Sequence, residues 1–229
     1  MWIMSDKPHI VKSYEEQLQL LKDTIIKMGA GVEKQLEQSI QAATKKDLSL
    51  AEKTIKDDKL IDKYEVNIEE QVVNLIALRQ PMAIDLRETV VALKISSDLE
   101  RIGDLSSNNS RRIISIGVDL PEEIVKNIEI AALKAAKQVN LVLNAYLHRD
   151  KTVAENVWNS DEEIDQITNI NMEAAIKHLE KNKDDVQKVT QLLFVLKNIE
   201  RIGDHATNVA EQTYFLITGE YLEGDRPKG

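Results

Sequence analysis

The chain has 229 residues, of which 42% are hydrophobic, 4% are aromatic and 30% are charged, with only 8 glycines and 4 prolines. This composition favours long helices over sheets, which need aromatic and β-branched residues and many turns. The formal net charge of −9 argues against a nucleic-acid binder, and the lack of cysteine excludes disulfides, thiolate metal sites and a cysteine nucleophile.

Apolar residues at helical spacing predict an all-α fold of six long helices. The first predicted helix spans about 13–45, and the second, which Asp47 caps, ends near 77. Pro81 ends the second predicted helix, because proline cannot donate a backbone hydrogen bond. A third predicted helix follows to about 116.

The segment 117–121 is the clearest break in the chain, and Pro121 opens a fourth predicted helix that ends near 148. Asp150 is the predicted cap of a fifth helix to about 181, and Asp184 of a sixth to about 218. No apolar stretch approaches the roughly 20 residues of a membrane span, and the N-terminal sequence lacks the basic region of a signal peptide. A cytoplasmic location without a membrane span is therefore expected.

The two halves of the chain repeat each other. The pentapeptide Glu100–Asp104 recurs as Glu200–Asp204, and Asn108 recurs as Asn208, at the same offset of 100 residues. The second and fifth predicted helices align at an offset of 103, because the connection around Pro81 is three residues longer. Such a match indicates a duplication.

This duplication predicts two tandem three-helix bundles, at 1–118 and 119–219, followed by a flexible tail at 220–229. An apolar stripe on the third and on the sixth helix is predicted to face each core. The stripes are Val91, Ile95, Leu99, Ile102 and Ser106, and Val195, Ile199, Ile202, Ala206 and Val209.

Polar side chains lie nearly opposite these stripes and step by about one helical turn. They are Glu100, Asp104 and Asn108 in the first half, and Glu200, Asp204 and Asn208 in the second. Acids one turn apart repel, and a mid-helix glycine costs about 1 kcal/mol relative to alanine. Both halves contain the repelling pair of acids, and both contain the mid-helix glycine, which is Gly103 in the first half and Gly203 in the second. A ligand-binding face explains this, because glycine permits a close approach.

Oxygen donors without cysteine suit Fe, Zn²⁺, Mn²⁺ or Mg²⁺. Residues four apart lie about 6 Å apart along the axis and can share an ion, whereas residues eight apart cannot easily do so. A complete face therefore predicts several ions or a cluster. Supporting ligands are expected from Asp58, Asp62, Asp161, Asp165 and Glu211. The alternative is a solvated face whose acids pair with Lys94, Arg101, Lys197 or Arg201.

At the doubled sequence Glu-Arg-Ile-Gly-Asp-x-x-x-Asn, the chain resembles the PhoU family of phosphate-transport and phosphate-signalling regulators. The family's repeated signature, Glu/Asp-x-x-x-Asp followed by Asn, matches the two polar trios. The segment Arg79–Arg87 resembles a second family signature, and the resemblance spans about residues 12–218. It implies two similar three-helix bundles, multinuclear metal clusters on the motif faces, and a homodimer.

The resemblance also implies a negative regulator of phosphate uptake and of phosphate-starvation signalling. Such a protein links a phosphate ABC transporter to a two-component sensor histidine kinase. Its implied partners are the transporter's ATPase subunit and the kinase, so it would reach a membrane only peripherally. Arg79, Asp85 and Arg87 are candidates for partner contact or for pairing with one another. The first site has Arg111 where the second has Glu211, so the second has one more acid.

Two other functions compete with a metal-binding regulator. A metal-dependent enzyme or a metal store is disfavoured, because no histidine has a glutamate three residues before it, as in di-iron bundles. A scaffold whose acidic faces stay empty is the other hypothesis. No Ser/His/Asp set and no glycine-rich phosphate loop has a recognisable spacing, so no catalytic residue is predicted. His205 is expected to face solvent.

Overall fold

The computed structural model describes residues 7–117, 119, 121–160 and 162–223, with side chains described from residue 14 onward except at 162, 163 and 165. All regular structure in this part of the chain is helical, as predicted. The helices are α1 (Lys7–Thr44), α2 (Leu48–Arg79), α3 (Ile84–Ile116), α4 (Glu122–His148), α5 (Lys151–Asn159), α6 (Glu162–Lys181) and α7 (Val186–Thr218). None of these helices is long and apolar enough to cross a membrane.

An aspartate begins the second helix of each half, as the sequence predicted. Asp47 accepts a hydrogen bond from the backbone N–H of Leu50 at 3.0 Å. Asp150 accepts hydrogen bonds from the N–H groups of Thr152 and Val153 at 3.0 and 3.1 Å. Each carboxylate satisfies backbone donors that the first helical turn leaves without partners. The duplication is therefore visible in local structure as well as in sequence.

The single helix predicted over 150–181 is divided into α5 and α6 at Ser160. The Nε2 of Gln138 donates to the Ser160 carbonyl at 3.2 Å and to its hydroxyl at 3.0 Å. The same hydroxyl donates to the carbonyl of Val157. These side-chain bonds compete with the backbone hydrogen bonds of the helix. The spacing of apolar residues does not reveal such competition. The predicted Asp184 cap is wrong, because a 3-10 helix at Lys183–Asp185 precedes α7.

The apolar stripes of α3 and α7 face the interior as predicted. Their members Val91, Ile95, Leu99, Ile102, Ser106, Val195, Ile199, Ile202, Ala206 and Val209 are all buried. Helices α1 to α3 pack together in the first half, and α4 to α7 pack together in the second. The two halves are thus related helical bundles, and the boundary at residue 118 stays a prediction.

The two motif helices α3 and α7 also pack against each other, in an antiparallel arrangement. Asn198, early in α7, donates to the Oδ1 of Asn109, late in α3, at 2.9 Å. Asn208, late in α7, donates to the Oδ1 of Asp98, earlier in α3, at 3.1 Å. Helices α1 and α4 form a second contact between the halves. Both motif helices therefore lie at the junction of the two bundles.

The first residues after α7 pack against that helix. The ring of Tyr221 stacks on Phe215 with centroids 4.4 Å apart and an interplanar angle of 9°. Leu222 is partly buried against the core. The predicted flexible tail at 220–229 thus begins with packed residues, and its residues 224–229 lie outside the described part of the chain.

Candidate metal-binding face

The first motif face is half-buried beside α2 rather than fully outward. The side chain of Glu100 is 16% exposed and that of Asp104 is 40% exposed. Asn108 accepts a hydrogen bond from the Nη1 of Arg111 at 3.0 Å, so its carbonyl oxygen is held on its own helix. The face is therefore a groove whose deepest acid is Glu100.

Carboxylates of α2 extend this acidic groove. Burial raises the pKa of Glu100 to about 7, and repulsion from Asp104 and Glu65 adds to the shift, while Arg101 opposes it. Burial also raises the pKa of Asp62, with repulsion from Asp58 and Asp104 as further causes. The groove is thus an electrostatically unfavourable cluster of oxygens that a cation would relieve.

Arg101 contacts both acids of the first motif. Its Nε lies 3.5 Å from the Oε2 of Glu100, and its Nη1 lies 3.6 Å from the Oδ2 of Asp104. In the second half, Glu200 forms an ion pair with Lys197. Ion pairing with neighbouring bases, the alternative raised by the sequence, is thus present on both faces.

The second motif face has a different set of neighbours. The side chains of Asp204, Asn208 and Glu211 are half-buried, and Asn208 binds Asp98 of the first half. The predicted ligand Asp161 lies outside the described residues, and so does the side chain of Asp165. The contribution of these two acids to the second face therefore stays a prediction.

Asp58 lies beneath the first face and not on it. Its side chain is only 8% exposed, and its Oδ1 accepts a hydrogen bond from Gln35 at 2.7 Å. This bond explains how a carboxylate is tolerated between α1 and α2. Asp62 and Glu65, about one and two turns further along α2, also contribute charge to the groove.

The carboxylate oxygens of the first face are suitable ligands for a cation that prefers oxygen, but they do not enclose a site. Across the described side chains, no three carboxylate or imidazole groups converge closely enough to hold one ion. Glu100 and Asp104 would bind a cation in place of their present contacts with Arg101. The groove is thus an open set of donors.

The motif glycines have a different role from the one predicted, because they face the bundle interior. A Cβ added to Gly103 would lie 3.1 Å from the Oε1 of Gln35 and 3.3 Å from Ile61. A Cβ added to Gly203 would lie 2.9 Å from Ile164 and 3.3 Å from the Oε1 of Gln138. Close helix packing therefore accounts for both glycines. The sequence contained a sign of this packing, because the neighbours Gln35 and Ile61 of the first glycine recur as Gln138 and Ile164 at the offset of 103.

The raised pKa of Glu100 predicts a pH-dependent stability. Its folded pKa of about 7 exceeds the ordinary value of 4.5, so the native state binds this proton more tightly than the unfolded chain. Stability therefore falls as pH rises from 4.5 to 7 and then levels off. Glu100→Gln should remove this loss and raise the free energy of unfolding at pH 8 by about 1 kcal/mol, since water screens part of the repulsion.

Urea unfolding of both proteins in chelator, followed by circular dichroism from pH 4.5 to pH 8, measures the difference. Glu70→Gln, at an exposed acid on α2, is the control and should give a curve parallel to that of the unsubstituted protein. A constant difference between Glu100→Gln and the unsubstituted protein across this range would contradict the assignment.

Comparison with known proteins assigns both halves of the chain to one family. The family model described as the PhoU domain matches residues 25–113 and again residues 128–213. The chain belongs to the PhoU family. It is 39% identical over 221 residues to a protein of Rhizobium meliloti (strain 1021) named phosphate-specific transport system accessory protein PhoU homolog, covering 96% of this chain and 93% of that protein. A homologue of the same name from Caulobacter vibrioides is 40% identical, with 96% of each chain covered.

Two solved PhoU structures share the fold. PhoU from Pseudomonas aeruginosa superposes with a TM-score of 0.84 at 30% identity, covering 90% of this chain and all of that one. The phosphate transport system regulatory protein PhoU from Streptococcus pneumoniae gives 0.84 at 26% identity, covering 92% and 99%. The relatives from Rhizobium meliloti and Caulobacter vibrioides are named accessory proteins and the Streptococcus pneumoniae protein a regulatory protein, which agrees with the predicted regulator.

The PhoU-like segment Arg79–Arg87 forms the turn between α2 and α3, and its charged side chains make internal contacts. The Nε of Arg79 donates to Gln17 at 2.9 Å. Arg87 lies over the ring of Phe215, 5.5 Å from its centroid, and its Nη1 reaches the carbonyl of that residue at 3.4 Å. A cation at the carboxyl end of α7 stabilises the helix dipole. Arg87 therefore joins the two halves of the PhoU fold.

The same turn exposes apolar side chains that the sequence reasoning missed. Leu78, Met82 and Ile84 are 71%, 81% and 65% exposed. The sequence feature that could have indicated them is the presence of apolar residues on both sides of a proline turn, where polar residues are usual. Asp85 and Arg87, the predicted partner contacts, are half-buried, so the apolar side chains are the more exposed part of this turn.

His205 does not face solvent as expected. Its side chain is 19% exposed, and its Nδ1 lies 2.9 Å from the Oδ1 of Asp98. Asp98 was not singled out from the sequence, because its role depends on the antiparallel packing of α3 against α7. This contact lies beside the second motif and binds it to the first half of the PhoU fold.

Proposed function

We propose that this chain is an accessory regulator of phosphate transport and not an enzyme. The observation that carries the proposal is the PhoU domain, which matches twice and covers most of both bundles. Relatives at 39% and 40% identity, similar over nearly their whole length, are named accessory proteins of a phosphate-specific transport system.

We further propose that the protein represses uptake and phosphate-starvation signalling by binding the ATPase subunit of the transporter and a sensor histidine kinase. In a strain that lacks the gene, we expect phosphate-starvation genes to be expressed in high phosphate. Reintroducing the unsubstituted gene should restore repression, which a reporter fusion measures. Normal repression in the deletion strain would overturn this function.

The two motif faces are proposed to bind divalent or trivalent cations such as Fe, Zn²⁺, Mn²⁺ or Mg²⁺. The support is chemical: burial raises the pKa of Glu100, repulsion from Asp104 and Glu65 adds to the shift, and a bound cation would favour the ionised carboxylate. Glu100 and Asp104 would hold the ion at the first face, and Glu200 and Asp204 at the second. A bound cation would bridge α2 and α3 and neutralise the repulsion between them.

The double substitution Asp104→Asn and Asp204→Asn tests the metal sites. Each change keeps the size of the side chain but removes the charge that attracts the ion, so we expect binding of added Mn²⁺ to weaken at least tenfold. Isothermal titration of chelator-treated protein measures the affinity, and elemental analysis measures the metal carried through purification.

Glu52→Gln with Glu173→Gln is the matched control, because it removes the same charge from exposed positions outside both motifs. Equal weakening in the control would mean that Mn²⁺ binds the acidic surface without preference for the motifs. If the Asp104→Asn and Asp204→Asn protein restores repression of phosphate-starvation genes in the deletion strain, regulation does not depend on metal binding. The regulatory proposal would then stand without the metal proposal.

A further inference from the structure

A cavity of about 720 Å³ lies at one end of the second half, between α5, the end of α7 and the residues that follow it. It is lined by Glu155, Trp158, Asn159, Tyr214, Glu220, Tyr221, Leu222 and Glu223. We call this cavity the aromatic–acidic pocket. None of the motif residues lines it, so its chemistry is separate from that of the candidate metal-binding face.

The aromatic walls of the pocket are held in place by the surrounding structure. Trp158 is 9% exposed and packs in the core, so only part of its ring borders the cavity. Tyr221 is 48% exposed, yet its ring is fixed by the stack on Phe215. Arg87 in turn lies 5.5 Å from the Phe215 centroid. The rings need little ordering when a ligand binds, which favours affinity.

The charge of the pocket is negative. Three exposed carboxylates, those of Glu155, Glu220 and Glu223, border it, and within the described part of the chain no lysine, arginine or histidine is among its lining residues. From α3, Lys94 approaches Tyr221 from outside the lining, with Nζ 5.8 Å from the ring centroid and 3.4 Å from the hydroxyl. Aromatic rings beside carboxylates are the environment that attracts a cationic side chain.

The pocket is a departure from the internal repeat. Trp158 and Asn159 replace Ile55 and Lys56 of the first half, at the offset of 103. Tyr214 replaces Ile114, at the offset of 100. The second half has thus exchanged two aliphatic residues and a base for two aromatic residues and an amide at this place.

We propose that the aromatic–acidic pocket binds an arginine or lysine side chain from a basic segment of a partner protein. The three carboxylates attract the cation, and Trp158 and Tyr221 contact its aliphatic stem. The guanidinium of arginine pairs with two carboxylate oxygens at once, so arginine binds more tightly than lysine. Binding at this pocket does not require metal at the motif faces.

Trp158 serves as the reporter, because the chain has only 2 tryptophans. In the full chain carrying Trp2→Phe, tetra-arginine peptide should change the Trp158 emission saturably at 0.15 M salt. A tetra-citrulline peptide, which has the same shape without charge, should bind at least tenfold more weakly. Glu220→Gln with Glu223→Gln should weaken tetra-arginine binding at least tenfold.

Glu52→Gln with Glu70→Gln is the matched control, since it lowers the charge equally at exposed positions of the first half. It should change the affinity less than twofold. Equal weakening in both double variants, equal binding of citrulline, or no saturable change would overturn the proposal. Tighter binding of spermine than of tetra-arginine would also overturn it, because the site would then be a polyamine site.

Discussion

Replacing Gly203 with leucine is expected to lower the free energy of unfolding by about 3 kcal/mol, although leucine is the better helix former. The Cβ alone would lie 2.9 Å from the Cδ1 of Ile164, closer than such atoms approach in folded proteins. The rest of the leucine side chain would force α6 and α4 away from α7. Gly103→Leu should have a similar effect, through Gln35 and Ile61.

Urea unfolding monitored by circular dichroism measures this loss. Ser97→Leu introduces the same side chain at an exposed position of α3 and should change stability by less than about 0.5 kcal/mol. A Gly203→Leu protein as stable as the Ser97→Leu control would show that the glycine serves the outward face and not helix packing. In that case the ligand interpretation of the motif glycine would be restored.

Asn198→Leu is expected to cost about 2 kcal/mol of stability, because it removes the side-chain donor that bonds the buried Oδ1 of Asn109. Asn109 is 2% exposed and Asn198 is 9% exposed, so water does not replace the lost bond. Asn109→Leu should cost a similar amount. Together the two substitutions place leucine against leucine and should leave the protein within about 1 kcal/mol of its original stability.

This double-mutant cycle tests whether α3 and α7 form one cooperative unit across the two halves. The coupling between the two positions should exceed about 1.5 kcal/mol, and each single variant should unfold in one transition. Additive losses would mean that the two asparagines do not depend on each other. Two separate transitions in a single variant would mean that the bundles unfold independently.

Much of the molecule follows from the sequence alone. The repeated pentapeptide, the paired caps Asp47 and Asp150, and the apolar stripes of α3 and α7 predicted the helical fold and its duplication. These features depend on spacing along one helix, which is fixed by 3.6 residues per turn. The same spacing placed Glu100 and Asp104 on one face, where the structure also finds them.

Features that join different helices required the tertiary structure. The inward direction of Gly103, the bond from Gln35 to Asp58 and the contact of His205 with Asp98 involve residues distant in sequence. The sequence determined which side chains share a helix face, because helix geometry is local. Only the packing decided which of those faces would be covered, because burial depends on the neighbouring helix and on the docking of the two halves.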